Sequence, residues 1–180
     1  MMKIRPRDDS GSGRQSFDEA FHRMFEEQFA SLFRYLNRLT GDADLAEDIA
    51  QEVLVRLHQR GSMPEDTRGW MGAVANNMLR DDRRTTRRRL RLLASQPAEA
   101  TAGSPAPASD EKVLADERRT AVRAALGKLS DRDRQMLILR YEGYTYREIA
   151  QAAEVAESSV GTMLIRAIAA FDAAITSAGL

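Results

Sequence analysis

At 180 residues the chain has room for one or two small domains. It has no cysteine and only two histidines, His22 and His58, which argues against disulfides, metal centres and His-based catalysis. Its 27 basic and 27 acidic residues balance, so any nucleic-acid surface must be local rather than general.

Valine and isoleucine are sparse, alternating apolar patterns are missing, and long Ala-, Leu-, Arg-, Glu- and Gln-rich stretches favour helix, so the expected fold is all-α. No apolar run approaches the roughly 18 residues of a membrane span, and the polar start lacks a signal core. A cytoplasmic protein without membrane insertion is expected. Residues 1–16, with Gly11, Ser12 and Gly13 among scattered charges, read as a disordered tail.

Helical periodicity begins at Phe17 and continues through Phe21, Met24, Phe25, Phe29, Leu32, Phe33, Leu36 and Leu39. Gly41 is placed to end that helix. Asp44 and Glu47 have capping-box spacing for a second helix. Its buried stripe is Leu45, Ile49, Val53 and Leu57. Its outer face carries Glu47, Asp48, Gln51, Glu52 and Arg56. From Asp18 to Arg56 there are nine acids and four bases, a net charge of about −5 and a poor match to DNA. Such a face is either solvated or a docking surface for a protein; nothing in it signals a catalytic pocket.

The third helix is expected from about Asp66 to Leu93. Trp70, Met71, Val74, Ala75, Met78 and Leu79 lie on one side, and Arg80 to Arg91 holds seven arginines against two aspartates. Arginine contacts to phosphate dominate nucleic-acid affinity, so this is read as a DNA-facing surface. Asn76 and Asn77, just upstream, have the chemistry to hydrogen-bond base edges. Residues 95–110 are rich in Pro, Ala and Ser without periodicity, a flexible linker between domains 17–94 and 111–180.

Helix is expected again near Glu111, with Val113, Leu114, Val122, Ala125, Leu126 and Leu129 as apolar positions. Ser130 and Asp133 cap a following helix whose core is Met136, Leu137, Leu139 and Tyr141. Thr145 and Glu148 form another capping box, leading into Ile149 and Ala150. After the interruption Glu154–Glu157, Val160, Leu164, Ala167, Ile168 and Phe171 resume a helical stripe. Two helices, a tight turn and small polar residues opening the second helix make a helix-turn-helix.

Four segments, in order, resemble the sigma-70 family of RNA polymerase sigma factors, in its small extracytoplasmic-function (ECF) form with sigma-2 and sigma-4 domains. They are Asp48-Ile49-Ala50-Gln51-Glu52; Trp70 with Val74-Ala75-Asn76-Asn77 and Asp81; Leu129 to Arg134; and Leu139 to Ala150. The resemblance implies an alternative sigma factor, not an enzyme, with no cofactor, metal site or catalytic residue. It implies that Asp48, Gln51, Glu52 and Arg56 bind core polymerase, and that Trp70, Asn76, Asn77, Arg80, Arg83, Arg84 and Arg87 bind the opened −10 strand. The −35 duplex then falls to Arg140, Arg147, Ser158, Ser159, Gly161, Thr162 and Arg166. Core RNA polymerase and promoter DNA are the implied partners, and some family members also take an anti-sigma factor. Departures from the family pattern are Glu154 where glycine is frequent, Ala156 where Ser or Pro is common, and Gly161 and Met163 where bases are usual. The alternative reading is a stand-alone helix-turn-helix regulator with a helical sensor or dimerisation module.

Overall fold

The computed structural model describes the backbone of residues 10–93 and 120–177 and the side chains of residues 15–82 and 120–177. All regular structure among the described residues is helical. The elements are α1 (Ser10–Thr40), α2 (Ala43–Arg60), α3 (Thr67–Leu93), α4 (120–128), α5 (Asp131–Tyr141), α6 (Tyr146–Ala153) and α7 (Glu157–Thr176). The linker expected at 95–110 and the apolar positions Val113 and Leu114 lie outside the described residues.

α1 begins at Ser10, so part of the segment expected to be a tail is helical. It stops where Gly41 adopts φ +74°, a left-handed conformation that glycine enters without steric cost. The cap of α2 is Asp42 rather than Asp44: its carboxylate accepts from the Leu45 amide at 3.1 Å. Asp44 instead sits in the first turn, where its charge complements the helix dipole. Asp66 caps α3 in the same way, accepting from the Gly69 amide at 2.9 Å.

Leu32, Tyr35, Leu36 and Leu39 of α1 pack with Ala46, Ile49, Ala50, Val53 and Leu57 of α2, and α3 adds Met71, Ala75 and Leu79. Phe25, expected in this stripe, is substantially exposed and stacks on Phe29 at 5.1 Å between ring centroids. Phe17 and Phe21 cover the His58 ring, which lies 6.0 and 5.5 Å from theirs.

In the second half Ser130 and Thr145 cap α5 and α6 as their spacing dictates, and the Thr145–Glu148 box is complete. Met136, Leu139, Tyr144, Ile149, Val160 and Leu164 form the core. Three positions expected to be buried are not. Tyr141 is 75% exposed, its ring under the Arg38 guanidinium. Val122 and Ile168 are also exposed, because Ala125 of α4, Leu129 just after it and Ala174 of α7 are the residues turned inward.

α7 has the length and mean hydropathy of a membrane-crossing helix, contrary to the expectation that no segment reaches that threshold. Its inward face, with Val160, Met163, Leu164 and Ala167, packs in this helical domain. The buried cluster runs without a break from α1–α3 into α5–α7, and α3 lies directly on α6.

Candidate nucleic-acid and polymerase interface

The outer face of α2 is built as its sequence implies. Asp48, Gln51 and Arg56 are exposed and Glu52 is half-buried. Arg56 Nε donates to Glu52 Oε1 at 2.9 Å, and Gln51 donates to Glu47 at 3.1 Å. Pairs one turn apart at a surface contribute only a few tenths of a kcal/mol, about 0.3–0.5 each. They organise the face more than they stabilise the helix.

α3 is continuous from Thr67 to Leu93, so the arginine run extends the same helix that carries Trp70, Asn76 and Asn77. Trp70 is half-buried beneath Arg60, whose guanidinium carbon is 5.9 Å from the ring centroid. Asn77 and Arg80 are exposed. The side chains of Arg83, Arg84 and Arg87 lie outside the described residues.

Asn76 does not sit where the sequence reading put it. It is 5% exposed. Its carbonyl oxygen accepts from the Tyr35 hydroxyl at 2.6 Å, and its amide donates to the Ala152 carbonyl at 2.9 Å. Both ends of this amide are satisfied inside the protein in this arrangement, as burial demands.

The helix-turn-helix consists of α6, a turn at Glu154 and α7. Glu154 holds φ +55°, the left-handed conformation that ends α6. That geometry is the physical reason glycine suits this position. Ala156 makes no side-chain cap to α7. Ser158, Ser159, Thr162 and Arg166 are exposed along one side of α7, while Val160, Met163 and Leu164 point inward. Met163 is therefore a core residue, and a base there would be buried rather than offered to a groove. Gly161 is half-buried; a Cβ on it would meet only Tyr146, at 3.6 Å. Arg140 lies over the Tyr146 ring at 5.7 Å, and Arg147 donates to Glu65 at 2.6 Å.

Two residues with no sequence signal join the halves. Arg68 donates to the Glu142 and Gly143 carbonyls at 2.7 and 3.0 Å and to Ser31 Oγ at 3.0 Å. Its guanidinium lies 3.9 Å from the Tyr144 ring centroid. Burial pushes the Tyr144 phenol up to about 12, with the Arg68 charge pulling the other way. The Glu142 carboxylate, only 3% exposed, pairs with Arg34 at 3.2 Å and also with Arg38. The pairings that cross between the halves, Arg34 with Glu142 and Arg68 with the Glu142 carbonyl, are more than 70 residues apart in sequence, which is why local periodicity does not announce them.

Family models match in the same order as the domains: "Sigma-70 region 2" over residues 24–89 and "Sigma-70, region 4" over residues 119–171. The ECF RNA polymerase sigma factor SigL of Mycobacterium tuberculosis is 33% identical over 175 residues, which is 94% of this chain and 97% of that protein. This chain belongs to the sigma-70 family. It is an alternative sigma factor of the ECF type, and it directs transcription initiation. The ECF sigma factor BldN of Streptomyces coelicolor is 24% identical over 83% of this chain and 58% of its own length. The sigma factor RpoE of Bartonella quintana, solved in complex with the anti-sigma factor NepR, shares the fold. Its TM-score is 0.66 over 88% of this chain and 98% of that one, at 20% identity. Sigma factors are non-catalytic initiation factors.

Proposed function

We propose that this sigma factor divides its work among three helices: α2 docks on core RNA polymerase, α3 captures the opened −10 strand, and α7 reads the −35 duplex. The unbroken course of α3 carries the proposal. One continuous helix carries Trp70, Asn77 and Arg80 and, further along the same backbone, the arginine run, residue types suited to a base edge and to phosphates. The opposite balance of charge on α2, rich in carboxylates, suits a protein partner and repels DNA.

On this reading Asp48, Gln51, Glu52 and Arg56 form the polymerase contact. Arg140, Arg147, Ser158, Ser159, Thr162 and Arg166 serve the duplex, with Gly161 at the helix face between them. The two units, 17–94 and 111–180, are joined by the 95–110 linker. The chain contributes specificity and no catalysis and works in the cytoplasm; likeness to the Bartonella quintana sigma factor solved with NepR makes an anti-sigma protein a candidate further partner. Run-off transcription with purified core polymerase and fragmented genomic DNA tests the whole. Asp48→Lys and Glu52→Lys are expected to lower capture of core at least five-fold with helix content unchanged by circular dichroism. Wild-type capture by both variants would remove α2 from the docking role.

A further inference from the structure

α7 carries a large apolar side chain where the fold has no use for one. Ile165 is 70% exposed, while Val160, Met163, Leu164 and Ala167 supply the buried stripe of the helix. Isoleucine is also β-branched, which sets its helix propensity slightly below that of straight-chain residues. Neither packing nor propensity calls for it here. Its neighbours on the same face are small. Ser158 stands seven residues before it, Gly161 four and Thr162 three, spacings that line side chains up along one side of a helix. Ser158 and Thr162 are exposed, and the exposed Arg166 follows directly.

Size decides what such a face can touch. Serine, glycine and threonine are short, and Ile165 projects further than any of the three. At the edge of the strip the Tyr146 ring lies 3.6 Å from where a Gly161 Cβ would stand. A helix side built this way can approach the floor of a major groove closely. The apolar group displayed there is the C5 methyl of thymine, which side chains recognise by contact rather than by hydrogen bonding. Arg166 is the single cation of α7, so bidentate arginine contacts to guanine have only one source on this helix.

We infer that Ile165 is a specificity-determining residue of the duplex-reading face, selecting thymine by contact with its 5-methyl group. This rests on the assignment of α7 to the −35 duplex and gives that assignment a chemical preference. A thymine opposite the third turn of α7 is favoured over cytosine, whose ring lacks the methyl. A protein surface is the other class of partner that an exposed isoleucine suits, and the test separates the two.

Holoenzyme is assembled from purified core polymerase and the full-length chain. The tightest-bound promoter duplex is recovered from fragmented genomic DNA. It is then resynthesised with deoxyuridine in place of each thymine of the −35 region in turn, which removes the methyl group and nothing else. At one thymine this is expected to weaken binding about four-fold, the value of one buried methyl group. In the Ile165→Ala holoenzyme that four-fold difference is expected to vanish. The side chain packs on little, so thermal unfolding of the variant should not fall below that of the parent. Ile168→Ala, three residues on and 49% exposed, should leave the difference unchanged. A parent holoenzyme that discriminates at no thymine, discrimination that survives Ile165→Ala, or equal loss with Ile168→Ala overturns the proposal. Weaker capture of core by Ile165→Ala, with methyl discrimination intact, also overturns it and makes the residue a protein contact. If Thr162→Ala with Arg166→Ala leaves binding of the selected duplex unchanged, the assignment of α7 to the duplex falls and takes Ile165 with it. If that pair weakens binding while no thymine methyl matters, Ile165 alone falls.

Discussion

At the scale of single residues, Glu154 shows how a charge bound across the fold and an unfavourable backbone coincide. Its φ of +55° is costly for a residue with a Cβ, by roughly 1–2 kcal/mol relative to right-handed geometry. Glycine would remove that cost. Here the carboxylate instead reaches Asn77 and Arg80 in the other domain. The two effects are separable by comparing Glu154→Gly with Glu154→Ala. Both lose the carboxylate, and only the first relieves the backbone. Glu154→Gly is expected to be the more stable by about 1 kcal/mol in urea denaturation. Equal stabilities would show that the left-handed turn carries no strain. Asn76 teaches the complementary lesson. An asparagine beside an arginine run reads naturally as a base contact, yet its amide is consumed by Tyr35 and Ala152. Nothing in its neighbours along the chain distinguishes a buried amide of this kind from an exposed one such as Asn77.

At the scale of elements, the fold was largely legible because the starts of α2, α3, α5 and α6 carry side-chain caps, although α7 begins without one. Ser130 and Thr145 accept backbone amides where spacing places them, Asp66 does so at the expected start of α3, and the stripes through Ile49–Val53–Leu57 and Val160–Leu164–Ala167 are buried. The errors have physical causes. Asp42 and Asp44 both suit a cap, and only the chain path after Gly41 selects Asp42. Tyr141 and Ile168 fall near helical stripes but on their edges, where neighbouring helices do not reach. Along α7 the same register argument assigns Met163 to the core, so any added cation belongs at Gly161. A side chain there has ordinary contact room against Tyr146. Gly161→Arg should gain about 0.8–1 kcal/mol of helix propensity, since arginine is close to alanine and glycine is not. It should also tighten binding of the full chain to a promoter-like duplex and steepen the salt slope by about one unit. An unchanged slope would mean that this side of α7 does not face phosphate.

At the scale of the whole molecule, the face proposed for polymerase docking and the contact between the two halves lie on different surfaces. α2 packs on α1 and α3, whereas the closed contact between the halves is made by α3 and α6, with help from α1 through Arg34 and Arg38. Asp48, Gln51 and Arg56 remain exposed in the closed arrangement. On the proposed assignment docking does not require prior opening, and separation of the domains follows as a second event on the polymerase. A ligand shifts such an equilibrium only by its differential affinity for the two states, so core polymerase must hold the separated domains more tightly than the closed pair. The kinetic consequence is specific. Stopped-flow mixing of labelled sigma factor with excess core should show two phases, the first rising with core concentration and the second approaching a fixed rate. A Cβ on Gly72 would stand 2.8 Å from the Ala152 Cβ, so Gly72→Leu weakens the closed contact. It should accelerate the second phase or merge it with the first while leaving the initial docking rate within two-fold. Asp48→Lys should do the reverse, slowing the first phase alone. A single concentration-dependent phase in the parent protein would show that docking and opening are one step, and that the closed arrangement places no barrier before the polymerase.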